Sequence, residues 1–200
     1  MIVNGKHYRT VWFRNGVVRM INQPLLPRRF EIAYFRSHKE TADAITSMVT
    51  RGAGAIGAAA GYAMAQGILS ASKTDFGKDV QEAAEYIRNA RPTAQDLFYA
   101  VDRVLDSIRD KDPAEARDAA VWEAEAIADE NSEACRRIGE IGAELIDDGF
   151  RVGTHCNAGW LAFVDWGSLK IRDYLEVPRG QADIVLEGVA DNEQLVNVAR

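Results

Sequence analysis

Cysteine is scarce in this chain: Cys135 and Cys156 are the only two in 200 residues. Two cysteines cannot form a disulfide scaffold, and no Cys/His spacing suggests a zinc site, so any chemistry at these thiols must be individual. Long apolar runs are missing as well. No stretch of eighteen apolar residues occurs, which argues against a membrane-spanning helix. The opening Met1-Ile2-Val3-Asn4-Gly5-Lys6-His7 has no apolar core of signal-peptide length, and a cytoplasmic location is the expectation. A basic cluster is absent too. The 24 Lys and Arg are scattered among 30 Asp and Glu, for a formal net charge of −6. A duplex-binding surface needs a basic stripe to neutralise phosphates, so nucleic acid is not an expected partner. One or two well-placed arginines would still serve a small phosphate ester.

What is present fits an ordinary globular chain, 47% apolar and 27% charged, long enough to bury a core. The first 36 residues read as short strands. Tyr8 to Phe13, Arg14-Asn15-Gly16 and Val17 to Ile21 predict a hairpin with Asn-Gly at its turn. Pro24 and Pro27 interrupt the chain before another β-rich run, Phe30 to Phe35. From about Lys39 to Asp147 the pattern is helical. Ser37 is a candidate N-cap for a helix through Ala42, Ile45, Met48 and Val49. A small-residue helix follows from Gly54 to Ser70, and a third through Val80, Ala83, Ala84 and Ile87. Pro92 is expected in the first turn of the fourth. Asp112-Pro113 opens the longest helical stretch, with a break expected near Asn131-Ser132. After Gly149 the pattern changes to a strand, Phe150 to Thr154, then Cys156-Asn157-Ala158-Gly159 and an expected helix. Ala182 to Gly188 reads as one more strand of this kind. About 50 residues follow Gly149, too few for a full doubly wound layer, so a shortened segment is expected.

Three places could carry chemistry. A cysteine at a strand-to-helix turn lies near free backbone N–H groups and a helix dipole, which lower a thiol pKa and make a usable base or nucleophile. Cys156 fits that description, although a free cysteine is also a common small core residue. Cys135 falls within a helical pattern and reads as structural. Arg51-Gly52-Ala53 places a guanidinium just before a helix start, a combination suited to phosphate. The glycines behind it have a packing explanation: Gly57 and Gly61, four apart, share a face that another helix can approach closely. Arg91, ahead of Pro92-Thr93, would project toward whatever a helix start faces, or would simply be solvated.

Five segments occur together: Asn22-Gln23-Pro24-Leu25-Leu26-Pro27, Ala44 to Gly57 including Thr50-Arg51-Gly52-Ala53-Gly54, Arg91-Pro92-Thr93-Ala94-Gln95-Asp96-Leu97-Phe98, Ile138 to Gly142, and Thr154-His155-Cys156-Asn157-Ala158-Gly159. In order and spacing this set resembles the methylthioribose-1-phosphate isomerase family, relatives of the ribose-1,5-bisphosphate isomerases and of the regulatory subunits of translation initiation factor 2B. The resemblance implies an α/β protein: a predominantly helical N-terminal domain with a small β-hairpin region, residues 1–148, then a shortened Rossmann-like α/β segment, residues 149–200. It implies interconversion of an aldose 1-phosphate and a ketose 1-phosphate in methionine salvage, with no metal or nucleotide cofactor. The phosphorylated sugar would be held by Arg51, Gly52, Ala53 and Arg91. Cys156 would be one of two groups moving a proton, or guiding a hydride, between C2 and C1. In the family the other is an aspartate ending a Gly-Ala-Asp strand. Here Asp183 to Asp191 resembles that strand with one residue inserted, making Asp191 the candidate, while no Asn-Lys pair follows. A homodimer, or completion by another chain, is the implied assembly. A non-catalytic binding or regulatory relative is the alternative.

Overall fold

The computed structural model describes residues 2–146, 151–155, 157–167 and 183–187. Its N-terminal layer is made of short strands. β1 (Ile2–Val3) pairs with β2 (Lys6–His7), and β3 (Val11–Arg14) forms the expected hairpin with β4 (Val17–Ile21). Asn15 and Gly16 take φ of 53° and 77°, as both central positions of a type I′ turn require. β5 (Ile32–Phe35) adds antiparallel to β4. The inward side chains Val11, Val18 and Met20 are fully buried.

Five helices follow. α1 (His38–Thr46) starts at Ser37, whose hydroxyl accepts from the Glu40 amide at 3.2 Å. The expected run through Met48 and Val49 is cut short at Thr46. Met48 turns into the left-handed region (φ 60°), and the amides of Met48 and Val49 bond back to the carbonyls of Ile45 and Ala44. This is a Schellman stop made by a residue other than glycine.

α2 (Ala53–Ser70) is the axis of the domain. Every residue from 54 to 68 is buried, and apart from Gln66 with its bonded amide and the Tyr62 hydroxyl they are small or apolar, as in a helix wrapped by neighbours. α1, α3 (Phe76–Ala90), α4 (Gln95–Ser107) and α5 (Pro113–Ala143) all pack against it. Gly57 lies against Asp96 of α4 and Gly61 against Ala124 and Ile127 of α5. The packing explanation for these glycines therefore holds, but they admit two helices rather than one.

Two helical expectations need correction. Pro92 is not in the first turn of α4, which begins at Gln95 after Ala94; it lies in the loop after Arg91. α5 runs unbroken through Asn131-Ser132. Asn131 sends its side chain to another segment and Ser132 is buried, so neither competes for the helix's own backbone bonds. Asp112 caps α5, accepting from the amides of Ala114 and Glu115 at 2.8 and 3.0 Å.

Beyond α5, β6 (Arg151–His155) and β7 (Asp183–Glu187) pair in parallel, with Arg151 opposite Asp183 and His155 opposite Glu187. A parallel pair needs a crossover connection between its strands, the arrangement of α/β proteins. Among the described residues no helix is long and apolar enough to cross a membrane.

Candidate functional site

Three stretches of chain meet where α2 begins. The first is the loop from α1 to α2. Thr50 is fully buried, Arg51 is exposed, and Gly52 is the N-cap of α2 with no side chain to satisfy the first-turn N–H groups. An eighteen-residue helix so uncapped presents its positive end to a ligand. Arg51 makes no hydrogen bond or ion pair among the described residues, which leaves its guanidinium available.

The second stretch surrounds Arg91, at the end of α3. The Thr46 hydroxyl donates to the Ala90 carbonyl at 3.1 Å, tying the end of α1 to the residue before Arg91. Gly57, one turn into α2, meets Asp96, the second residue of α4, so the starts of α2 and α4 lie side by side. Each is preceded by one of the expected arginines. Arg91 is half-buried, and its Nη1 is buried without a hydrogen-bond partner. A buried guanidinium N–H left unpaired is costly unless an anion completes it.

The third stretch follows the cysteine motif. Asn157 Oδ1 accepts from the Gly159 amide at 3.1 Å, and Trp160–Ala162 form a 3₁₀ turn. The expected α-helix after Cys156 is not found among the described residues. A three-residue 3₁₀ turn has little dipole, so residues 157–167 offer no helix dipole of the kind expected to activate a thiol.

This turn is fixed from several sides. Gly52 packs directly on the Ala162 backbone, and a Cβ built at Gly52 would come within 2.5 Å of the Ala162 Cα, carbonyl carbon and oxygen. Gln23 donates from Nε2 to the Leu161 carbonyl at 2.8 Å. The Thr10 amide donates to the Val164 carbonyl at 2.7 Å, and the Thr10 hydroxyl donates to the Trp160 carbonyl at 3.2 Å. The Val164 amide donates to Asn131 Oδ1 at 3.0 Å, and Asn131 lies against Gly54. His7 Nε2 and Asp165 Oδ2 are 2.8 Å apart. Trp160 and Leu161 join Ile21 and Leu26 in a small apolar cluster beside the main core.

Of the expected site residues, the structure brings the segments of Arg51, Gly52, Ala53 and Arg91 to one end of the helical layer. It sets residues 157–162, immediately after Cys156, against the first of them. Cys156 and Asp191 themselves lie outside the described residues. Cys135 is buried, and burial pushes its thiol up to about 11, in keeping with a structural role. A cavity of about 240 Å³ opens beside the first turns of α2 and α4, lined by Gly54, Gly57, Asp96, Arg103, Glu130 and Asn131 among others. A larger hollow of about 610 Å³ between α3 and α4 shares none of the candidate residues. Among the described residues no group of His, Cys, Asp and Glu is arranged to hold a metal.

Sequence reasoning missed Thr10, Gln23 and Asn131, the polar residues that hold the third stretch in place. Two of the three signals were faint. Thr10 looks like an ordinary strand threonine, and Asn131 stood out in sequence as part of an expected helix break rather than as an anchor. Gln23 was more legible, as an amide between Ile21 and the apolar Pro24-Leu25-Leu26 run, where a buried polar group must find partners.

Residues 49–187 match the initiation factor 2 subunit family. The chain is 42% identical over 167 residues to a putative methylthioribose-1-phosphate isomerase of Pyrococcus horikoshii, covering 80% of this chain and 46% of that protein. It is 39% identical over 179 residues to the methylthioribose-1-phosphate isomerase of Escherichia coli O45:K1, covering 84% and 47%. The chain thus spans about half the length of these curated relatives. The crystal structure of 5-methylthioribose 1-phosphate isomerase from Pyrococcus horikoshii superimposes with a TM-score of 0.78 at 32% identity, over 92% of this chain and 62% of that one. The delta subunit of translation initiation factor eIF-2B from A. fulgidus gives 0.76 at 34% identity, over 90% and 54%.

Proposed function

The chain belongs to the initiation factor 2 subunit family, and on that premise we propose that it acts as a sugar-phosphate aldose–ketose isomerase converting methylthioribose 1-phosphate to methylthioribulose 1-phosphate. The observation that carries this reading is the packing of Gly52 on Ala162, which sets the Arg51 helix start against the loop that leaves Cys156. Support for phosphate comes from the uncapped start of α2, the unengaged Arg51 and the unpaired Nη1 of Arg91. Methylthioribose-1-phosphate isomerases are among its relatives at about 40% identity.

In this reading Arg51, the Gly52–Ala53 helix start and Arg91 hold the phosphate. The ring must open before isomerisation, and because the anomeric carbon bears the phosphate, that opening must itself be assisted. Opening breaks the C1–O4 bond and O4 takes up a proton; hydrogen then moves from C2 to C1, so that C1 becomes the CH2 still bearing the phosphate while the C2 hydroxyl gives up its proton and becomes the ketone. Two ionisable groups are needed for the proton movements, and Cys156 and Asp191 are the proposed pair. The organisation proposed with it is a helical domain over residues 1–148 and a Rossmann-like segment over 149–200. The parallel β6–β7 pair favours that second segment.

The test is direct addition of methylthioribose 1-phosphate with detection of the ketose product, repeated with Cys156→Ser. Turnover abolished by Cys156→Ser is the expected result, and a wild-type protein that binds the sugar phosphate without turning it over refutes catalysis. A second reading, a non-catalytic assembly module, is favoured by the likeness to the eIF-2B delta subunit. It requires a co-purifying partner whose association Cys156→Ser leaves unchanged.

A further inference from the structure

Gln23 is 4% exposed, and its side chain reaches both loops that the isomerase reading places at the site. Its Nε2 donates to the Leu161 carbonyl at 2.8 Å and to the Thr50 hydroxyl at 3.3 Å, and its backbone amide donates to the Val49 carbonyl at 3.1 Å. One residue therefore ties the chain just before Arg51 to the turn just after the cysteine motif. We propose that Gln23 is a positioning residue that fixes the separation between the Arg51-Gly52 helix start and the loop following Cys156. What is positioned rests on the isomerase reading; the positioning itself does not.

A wall and a tether together set the separation of the two loops. Gly52 against the Ala162 backbone is a steric contact, which sets the smallest separation the two loops can have. It cannot stop them from drifting apart. The Gln23 carboxamide supplies the attraction, since its NH₂ carries two hydrogens and meets one acceptor on each side. The tether is itself anchored. The Asn22 amide donates to the Glu31 carbonyl at 2.9 Å, and the Leu26 amide to the Gln23 carbonyl at 3.0 Å, with Leu26 buried in the small apolar cluster. Methionine would fill the same space without donating. Glutamate could donate only when protonated.

The experiment compares wild type with Gln23→Met by amide hydrogen exchange, by calorimetric titration with methylthioribose 1-phosphate, and by turnover of that compound. Exchange should accelerate at residues 49–54 and 160–164 and stay unchanged in α3 and in the body of α5. Binding stoichiometry should stay near one per chain, with kcat lowered on the order of 10- to 100-fold, as a misplacement of about an ångström between reacting groups predicts. A merely structural role would speed exchange throughout the helices, or lower kcat and stoichiometry together. Either result overturns the proposal, as does unchanged exchange in both loops. If wild type shows no turnover, the isomerase reading falls while the exchange pattern still decides the role of Gln23. If Gln23→Met does not fold, Gln23→Glu takes its place. Relative to wild type at the same pH, its extra exchange at 49–54 and 160–164 should shrink as the carboxyl is protonated. Extra exchange equal at both ends of the pH range refutes the tether.

Discussion

Replacing Gly52 with alanine tests the contact on which the site depends. Gly52 has φ −86° and ψ 149°, extended backbone that any residue adopts, so glycine is not there for conformational freedom. The reason is steric. An added Cβ would come within 2.5 Å of three backbone atoms of Ala162, none of which can rotate away. Carbon contacts relax only near about 3.5 Å, so the two loops must part by roughly an ångström. Overpacking of this kind costs about 1–3 kcal/mol, which for a chain of this length lowers Tm by roughly 3–10 °C. The same displacement should reduce turnover on the order of 100-fold if the proposed groups act across the junction. Gly77 supplies the control. It is exposed near the start of α3, and a Cβ added there would meet nothing within 4 Å, so Gly77→Ala should leave Tm unchanged or raise it. The assays are thermal unfolding by circular dichroism and phosphate-ester titration of each variant. A Gly52→Ala protein that melts and binds like wild type would show that the two loops do not meet as described, and the site would go with them.

Three other perturbations have definite signs. Gln66 is buried, donates to the carbonyls of Gly16 and Phe35 at 3.0 and 2.9 Å, and accepts from the Thr41 hydroxyl at 2.7 Å. Gln66→Leu strands those partners and should cost about 2–4 kcal/mol in urea unfolding; a loss below about 0.5 kcal/mol would contradict the network. Burial and the neighbouring Asp129 raise the Glu125 carboxyl above its ordinary 4.5, against the opposing pull of the Tyr62 hydroxyl. The native state then holds this proton more tightly than the unfolded chain, so stability falls as pH rises from 4.5 through the raised native value. Glu125→Gln keeps an acceptor for Tyr62 and should raise Tm at about pH 7 by more than at about pH 4.5, whereas an offset equal at both pH values would refute the assignment. Finally, Cys135, buried and held protonated at neutral pH, should not react with a thiol reagent in the native protein. Native Cys156→Ser, in which Cys135 is the remaining cysteine, should show no fast thiol; a fast thiol there would refute the burial of Cys135.

Local chemistry was legible in the sequence because its causes are local. Asn15-Gly16 specified the hairpin turn, Ser37 and Asp112 specified helix starts, and the small-residue stretch Gly54 to Ser70 specified a helix. The stop at Thr46 was not legible, since Met48 takes the left-handed position usually given to glycine. The unbroken course of α5 past Asn131-Ser132 depends on where Asn131 finds its partner, on a segment 33 residues away. Among the described residues after Cys156, a 3₁₀ turn stands where a helix was expected, for a related reason. The 157–167 segment is shaped by bonds to Thr10, Gln23 and Asn131, so tertiary partners rather than local preference decide its turn.

The sequence by itself determined which residues could do chemistry: two arginines ahead of helix starts, and a cysteine after a strand. It also determined the order of the elements that carry them, because periodicity, caps and turn residues act over a few positions of chain. Only the tertiary structure decided that α2 and α4 start side by side, that Gly52 rests on Ala162, and that Gln23 spans the two loops. Those facts depend on atoms 27 to 138 residues apart in the chain packing to within a few tenths of an ångström, and no short stretch of sequence records such a distance.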